Sequence, residues 1–182
     1  MPTIYLSPSI QPYNKYLTEG DEQYWMNRIA DDMVPMLEQN GINVVRNTPN
    51  TSLGQAKRES NAGNYDLHLA LHSNAGPANL AGKLRGPDVY YYPYSASGKR
   101  AAELIVDELR KIYPDPDLVS TVATTRLAEI TKTSAPAVLV EIAYHDNAED
   151  AFWIIDNIQL IARTLVLALT EYFGIPFVEP SI

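Results

Sequence analysis

Between Asp21 and Gly41 the apolar residues fall at Trp25, Met26, Ile29, Met33, Met36 and Leu37. That spacing keeps one side of a helix apolar, and Gly41 ends the run. Pro35 inside it predicts a kink or an early end. Two further segments carry the same period. Ser97–Ile112 has Ala101, Leu104, Ile105, Leu109 and Ile112, and Ile158–Phe173 has Ile161, Leu165, Leu169 and Phe173 on one stripe. Gly174-Ile175-Pro176 stops the last one. Short runs of β-formers lie between these helices. They are Thr3–Leu6, Ile42–Arg46, Tyr65–His72, Val89–Tyr92 and Val138–Ile142. Gln55–Asn61 predicts a short helix, and Asn147–Asn157 a turn and the start of another. Ser73–Gly86 is rich in Gly, Pro and Asn and reads as loop. Leu127–Ile130 fits a short strand and a short helix equally well.

The resulting order is strand, helix, strand, helix, strand, loop, strand, helix, strand, helix. This predicts an α/β fold, a three-layer sandwich with a mainly parallel sheet of about five to six strands flanked by helices. One domain is expected over residues 1–176. Residues 177–182 then form a C-terminal tail that could lead into a linker. In such sheets ligands collect at the carboxyl ends of the strands.

Composition narrows the chemistry. The chain has 182 residues, 46% of them hydrophobic, which suits one domain with a sizeable core. A net charge of -8 with no local basic cluster argues against nucleic acid as a partner. The absence of cysteine excludes disulfides, thiolate metal sites and a Cys nucleophile. No basic segment followed by an apolar run opens the chain, so no secretory signal is visible. No run approaches the ~18 apolar residues of a membrane helix. Insertion into a membrane is therefore not expected, and a monomer is.

Four residues from distant parts of the chain fall at the same end of the predicted sheet. Gln11 follows the first strand, Glu22 opens the first helix, His72 ends the third strand, and Glu141 lies near the end of the last. A His, a carboxylate and a neutral donor make a zinc shell with a position open for water. A second carboxylate can then act as general base. Each has a plainer reading. Glu22 is favoured in a first helical turn by the dipole alone. His72 and Gln11 can simply bond to a loop. Glu141 is hardest to dismiss, because Val138-Leu139-Val140 and Ile142-Ala143 flank it and an unpaired charge there is costly. A salt bridge to Arg46 or Arg126 is its alternative. His68 shares a strand face with His72, but four strand residues span roughly 13 Å, so both cannot bind one metal. His145 suits a site rim or loop structure, and Asp146, Asn147 and Asp150 suit turns and caps. Tyr90, Tyr91, Tyr92 and Tyr94 alternate across a strand. One face then belongs to the core, and the other offers packing or a sugar-stacking surface. No Walker A, G-x-S-x-G, H-E-x-x-H or G-x-G-x-x-G motif is present.

Four stretches together resemble the zinc-dependent N-acetylmuramoyl-L-alanine amidases of the amidase 3 type. They are Glu22–Ala30 (EQYWMNRIA), Asn61–Ala75 (NAGNYDLHLALHSNA), Arg85–Tyr90 (RGPDVY) and Ala135–Asn147 (APAVLVEIAYHDN). The resemblance implies a bacterial or phage peptidoglycan hydrolase. It would cut the amide between N-acetylmuramic acid and L-alanine of the stem peptide, with the cell wall as its site of action. It also implies Zn2+ as cofactor, Glu22 and His72 as zinc ligands and Glu141 as the catalytic glutamate. The family places a histidine ligand after the first strand. Here Ser7-Pro8-Ser9-Ile10-Gln11 stands there, as in a branch with S-P-S-x-Q. Gln11 is the nearest substitute ligand, Asn14 the second and His145 a third. Two rival expectations remain: a catalytically inactive peptidoglycan-binding domain, and a zinc peptidase acting within the stem peptide.

Overall fold

The computed structural model describes residues 1–179. In chain order the elements are β1 Thr3–Pro8, α1 Glu22–Gln39, β2 Asn43–Arg46, α2 Leu53–Ala62, β3 Leu67–Asn74, β4 Asp88–Tyr91, α3 Ala96–Leu109, β5 Ser120–Ala123, α4 Ala128–Thr131, β6 Ala137–Tyr144, α5 Ala148–Asp156 and α6 Ile158–Phe173. The six strands form one sheet in the order β2-β1-β3-β6-β4-β5. Strands β2, β1, β3 and β6 run parallel, and β4 meets β6 antiparallel with β5 parallel to β4. The α/β sandwich read from the sequence is therefore the observed fold.

Three local readings change. β5 was not anticipated, because Ser-Thr-Val-Ala is short and half polar, as befits an edge strand. Leu127–Ile130 resolves as helix, with α4 spanning Ala128–Thr131. Pro35 lies inside α1 without ending it. In the expected tail, Phe177 packs on the core and Val178 exchanges two hydrogen bonds with Asn40. Pro180–Ile182 lie outside the described residues.

Strand alternation divides the side chains between two unequal layers. Ile4 and Leu6 of β1, Leu67, Leu69 and Leu71 of β3, and Val138, Val140 and Ile142 of β6 all face one side. There they meet the buried stripes of α1, α3 and α6, with α6 lying between the other two. These helices have 18, 14 and 16 residues, enough to cover that face. The opposite parity gives Tyr5 and Ser7, His68 and His72, and Leu139 and Glu141. Among the described residues only two helices lie over that face, α2 with 10 residues and α4 with 4. Its apolar cluster is small, comprising Ala70, Ile130, Ala137 and Leu139 with Tyr90, Tyr92 and Leu127 packed on it. The thin layer leaves the polar residues at the strand ends reachable from solvent.

Asp150, in the first turn of α5, ties this end of the sheet together. Its buried carboxylate accepts from the Gly86 and Tyr144 backbone N–H groups, both at 2.9 Å, and from the Tyr113 hydroxyl at 2.6 Å. Gly86 has φ +99, and a Cβ there would meet the Leu118 carbonyl at 2.5 Å, so the loop before β4 depends on that glycine. Asp150→Ala strands three buried donors and is expected to cost about 3 kcal/mol. A urea midpoint corresponding to less than ~1 kcal/mol of loss would show that the donors find other partners.

Candidate active site

His72, at the end of β3, is the centre of the site. Its Nδ1 lies 2.8 Å from Glu22 Oε1 and its Nε2 lies 3.0 Å from Glu129 Oε2. Glu22 reaches it from the N-terminus of α1, where the Asp21 side chain caps the helix by accepting from the Tyr24 N–H. Asn14 holds the second Glu22 oxygen at 2.5 Å. Glu129 reaches His72 from α4 across the thin face. Glu141 stands beside His72 in strand register on β6, with Asp88 of β4 as its neighbour on the other side. The pairing of β3 with β6 shifts register between His72 and Asn74, next to these side chains. The residues open onto a cavity of about 450 Å³ whose lining includes Ile10, Gln11, Leu53, Leu127, Glu129 and Glu141.

The environment separates the carboxylates. Burial opposes ionisation of Glu129, but hydrogen bonds from His68 and His72 outweigh it and hold its pKa far below the usual range. Burial likewise works against Glu22, and His72 with Asn14 reverses it, so its pKa is lowered. Burial disfavours the His72 imidazolium, but the carboxylates of Glu129 and Glu22 on its two nitrogens raise its pKa well above the ordinary value. Glu141 is the exception. It is half-buried, and its Oε2 is enclosed with no hydrogen-bond partner. Desolvation pushes its pKa up to about 7, and the nearby His72 charge only partly offsets that.

The structure brings together all four residues singled out in the sequence. Glu22, His72 and Glu141 share the site, and Gln11 Nε2 lies 3.2 Å from His72 Nδ1. The salt bridge considered for Glu141 is absent, since Arg46 pairs with Asp31 and Asn27 and no described cation reaches the carboxylate. His145 serves loop structure. It is buried, stacks on Tyr16 at 5.4 Å and places Nδ1 2.9 Å from the Ser73 carbonyl oxygen. Among the tyrosines, Tyr91 joins the main core, Tyr90 and Tyr92 pack in the smaller cluster, and Tyr94 is exposed. Sequence reasoning missed Glu129. Its segment fits a short strand and a short helix equally well, although a carboxylate between Leu127 and Ile130 with two same-face histidines elsewhere in the chain was a usable signal.

Among the described residues, no three His, Asp or Glu side chains form a group that could hold a metal ion. Two do converge. The 2.8 Å between Glu22 Oε1 and His72 Nδ1 approaches the roughly 3.3 Å that separates neighbouring donors on one tetrahedral zinc. The Gln11 amide is the third group at that point. Its nitrogen faces His72, while its oxygen accepts from Tyr13 and Asn14 at 3.1 and 3.2 Å. Turning the amide over would present the oxygen instead. This donor set fits zinc, with one donor weaker than imidazole.

Residues 15–171 match the family described as N-acetylmuramoyl-L-alanine amidase, Amidase_3. The chain belongs to that family. A comparison with curated protein sequences found no significant match. Among solved structures, the amidase AmiC2 of Nostoc punctiforme superposes with a TM-score of 0.81 at 20% identity, covering 95% of this chain and 97% of that one. The catalytic domain of CwlV, an amidase from Bacillus (Paenibacillus) polymyxa var. colistinus, gives 0.82 at 17% identity over 97% and 100%. The catalytic domain of the CD27L endolysin, which targets Clostridia difficile, gives 0.76 at 22% over 94% and 98%. These likenesses establish the shared fold across the whole domain. With the family, the activity class is amide hydrolysis on peptidoglycan, the expectation raised by the sequence resemblance.

The unpartnered Glu141 oxygen has a stability consequence in metal-free protein. Its folded pKa lies above the unfolded value of about 4.5, so the folded state binds the extra proton between those values. Stability is then lost as pH rises from the unfolded pKa to about 7. The ionised carboxylate costs roughly 3 kcal/mol above that range. Glu141→Gln should therefore melt higher than wild type at pH ~8, with the gap closing towards pH ~5. A gap that does not change with pH would contradict this account.

Proposed function

We propose that Glu22, His72 and the side-chain oxygen of Gln11 hold a zinc ion, and that Glu141 is the general base of the amidase reaction. The observation that carries this reading is Glu141 itself. A half-buried carboxylate with one bare oxygen, poised near neutrality, sits beside His72 at the mouth of the cavity. When bound, zinc would supply Lewis-acid polarisation of the amide carbonyl and lower the pKa of a coordinated water.

The chain's own residues do the rest. The Glu141 carboxylate takes a proton from water as the water oxygen bonds to the carbonyl carbon. The same carboxyl then delivers that proton to the amide nitrogen as the C–N bond breaks, leaving the lactyl carboxylate and a free L-alanine amino group. Burial raises the Glu141 pKa to about 7 in the metal-free protein, and the charge of a bound zinc would shift it back towards the carboxylate form that accepts the first proton. Glu22 and Glu129 are held ionised by His72 and are unavailable for that role. Ile10, Leu53, Leu127 and Leu139 give the cavity an apolar wall that limits water around the scissile bond. The enzyme acts on the cell wall, and we take it to work there as a monomer without membrane insertion. No single helix among the described residues is long and apolar enough to cross a membrane.

The missing third His, Asp or Glu donor supports a second reading, an inactive wall-binding domain that has lost its metal. Metal analysis after purification with zinc separates the two, since the enzyme retains about one equivalent. Purified cell walls should then release free L-alanine amino termini. Glu141→Ala is expected to lower that release by at least ~100-fold. Equal release by wild type and variant would remove Glu141 from the mechanism. New amino groups inside the stem peptide would instead identify a peptidase. For the shell, Gln11→Ala should weaken zinc binding, and Gln11→His should strengthen it by about 10-fold or more. Zinc affinity indifferent to both changes would exclude Gln11 as a ligand.

A further inference from the structure

Glu129 is 5% exposed and uses both carboxylate oxygens on the two histidines of β3. Oε2 lies 3.0 Å from His72 Nε2, and Oε1 lies 3.2 Å from His68 Nε2. The Ser7 hydroxyl donates to Oε1 at 2.5 Å. His68 is fully buried, and its Nδ1 lies 2.8 Å from Ser60 Oγ on α2. A continuous chain, Ser60–His68–Glu129–His72, thus runs from the middle of the thin layer to the site and meets Glu22 on the far side of the imidazole.

We infer that Glu129 is a positioning residue: it reserves the Nε2 of His72 for a proton and fixes the ring so that Nδ1 faces Glu22. This rests on the zinc reading above. An ionised carboxylate only accepts hydrogen bonds, so the nitrogen facing it must carry the hydrogen. Glu22 draws a proton to Nδ1 in the same way, so the metal-free ring carries both protons. With Nε2–H held by Glu129, Nδ1 is the nitrogen that would give up its proton to a metal, on the side where Glu22 and Gln11 converge. Histidine ligands commonly donate their other N–H to a carboxylate, which orients the ring and raises its basicity. His68, Ser60 and Ser7 in turn fix Glu129. Packing alone would not call for this arrangement, because an apolar side chain from α4 would fill the same space without burying a charge.

The test uses the whole chain with zinc as the probe, measured by calorimetry against a competing chelator. Glu129→Gln keeps the volume but replaces one acceptor oxygen with an N–H donor. One histidine must then offer a bare nitrogen. Zinc affinity is expected to fall about 10–100-fold. The imidazole ¹⁵N signal of a protonated His72 Nε2 should be lost or averaged. Turnover should fall with KM little changed. Should Glu129→Gln fail to melt cooperatively, Glu129→Asp decides the point, because the shorter side chain draws the carboxylate off Nε2 and should weaken zinc binding several-fold. Unchanged zinc affinity and an unchanged Nε2–H signal in the folded variant would overturn this role and leave the zinc reading standing. A wild-type chain that binds no zinc would overturn both.

Discussion

The site depends on one imidazole holding two carboxylates. Glu22 and Glu129 are each almost fully enclosed, and a buried charge without a counterpart is among the costlier defects a fold can carry. His72 meets both, one at each ring nitrogen. Without it, two like charges would face each other across the end of β3. With it, three elements far apart in sequence are drawn to one point: the start of α1, the end of β3 and the single turn of α4. Glu141 lies close enough to feel these charges but has no bond to any of them. It therefore stays near neutrality while its neighbours are firmly ionised.

That division of roles follows from the uneven layering. Three long helices take the apolar parity of β1, β3 and β6, and this packing makes the core. The other parity carries Ser7, His68, His72 and Glu141, and two short helices cannot close over it. The open part becomes the cavity, and the covered part becomes the hydrogen-bonded chain from Ser60 to His72. The reversal of β4 against β6 adds Asp88 beside Glu141, a further negative neighbour that helps keep Glu141 protonated.

Much of this was legible in the chain. Helical period and strand alternation are set by the dominant energetic term, apolar burial, so the α/β sandwich and the long helices could be read directly. Glu141 was legible for the same reason: its flanks required burial, which made the carboxylate conspicuous. β5 and α4 were not, because each has four residues and is held by neighbours rather than by its own pattern. Glu129 was hidden with α4. Its meaning comes from two histidines about 60 residues earlier, at separations of 61 and 57, and no local period encodes such a contact. The direction of Gln11 was equally out of reach, because Tyr13 and Asn14 decide which end of the amide faces His72.

In the zinc site we propose, Gln11 as a ligand would change what the remaining residues must do. An amide oxygen binds zinc more weakly than imidazole, so in that proposed site more of the affinity would have to come from Glu22 and His72. Each ligand contributes most when its donor atom is already aimed, since aiming it on binding costs rotamer and ring freedom. Glu22 is aimed by Asn14 and the Ser73 N–H, and His72 by Glu129. Under the proposed zinc reading the polar chain through the thin layer acts as compensation: rigidity in two donors would stand in for strength in the third. The same reading gives a role to His68, which does not join the proposed ligand set yet is fully buried and bonded at both nitrogens.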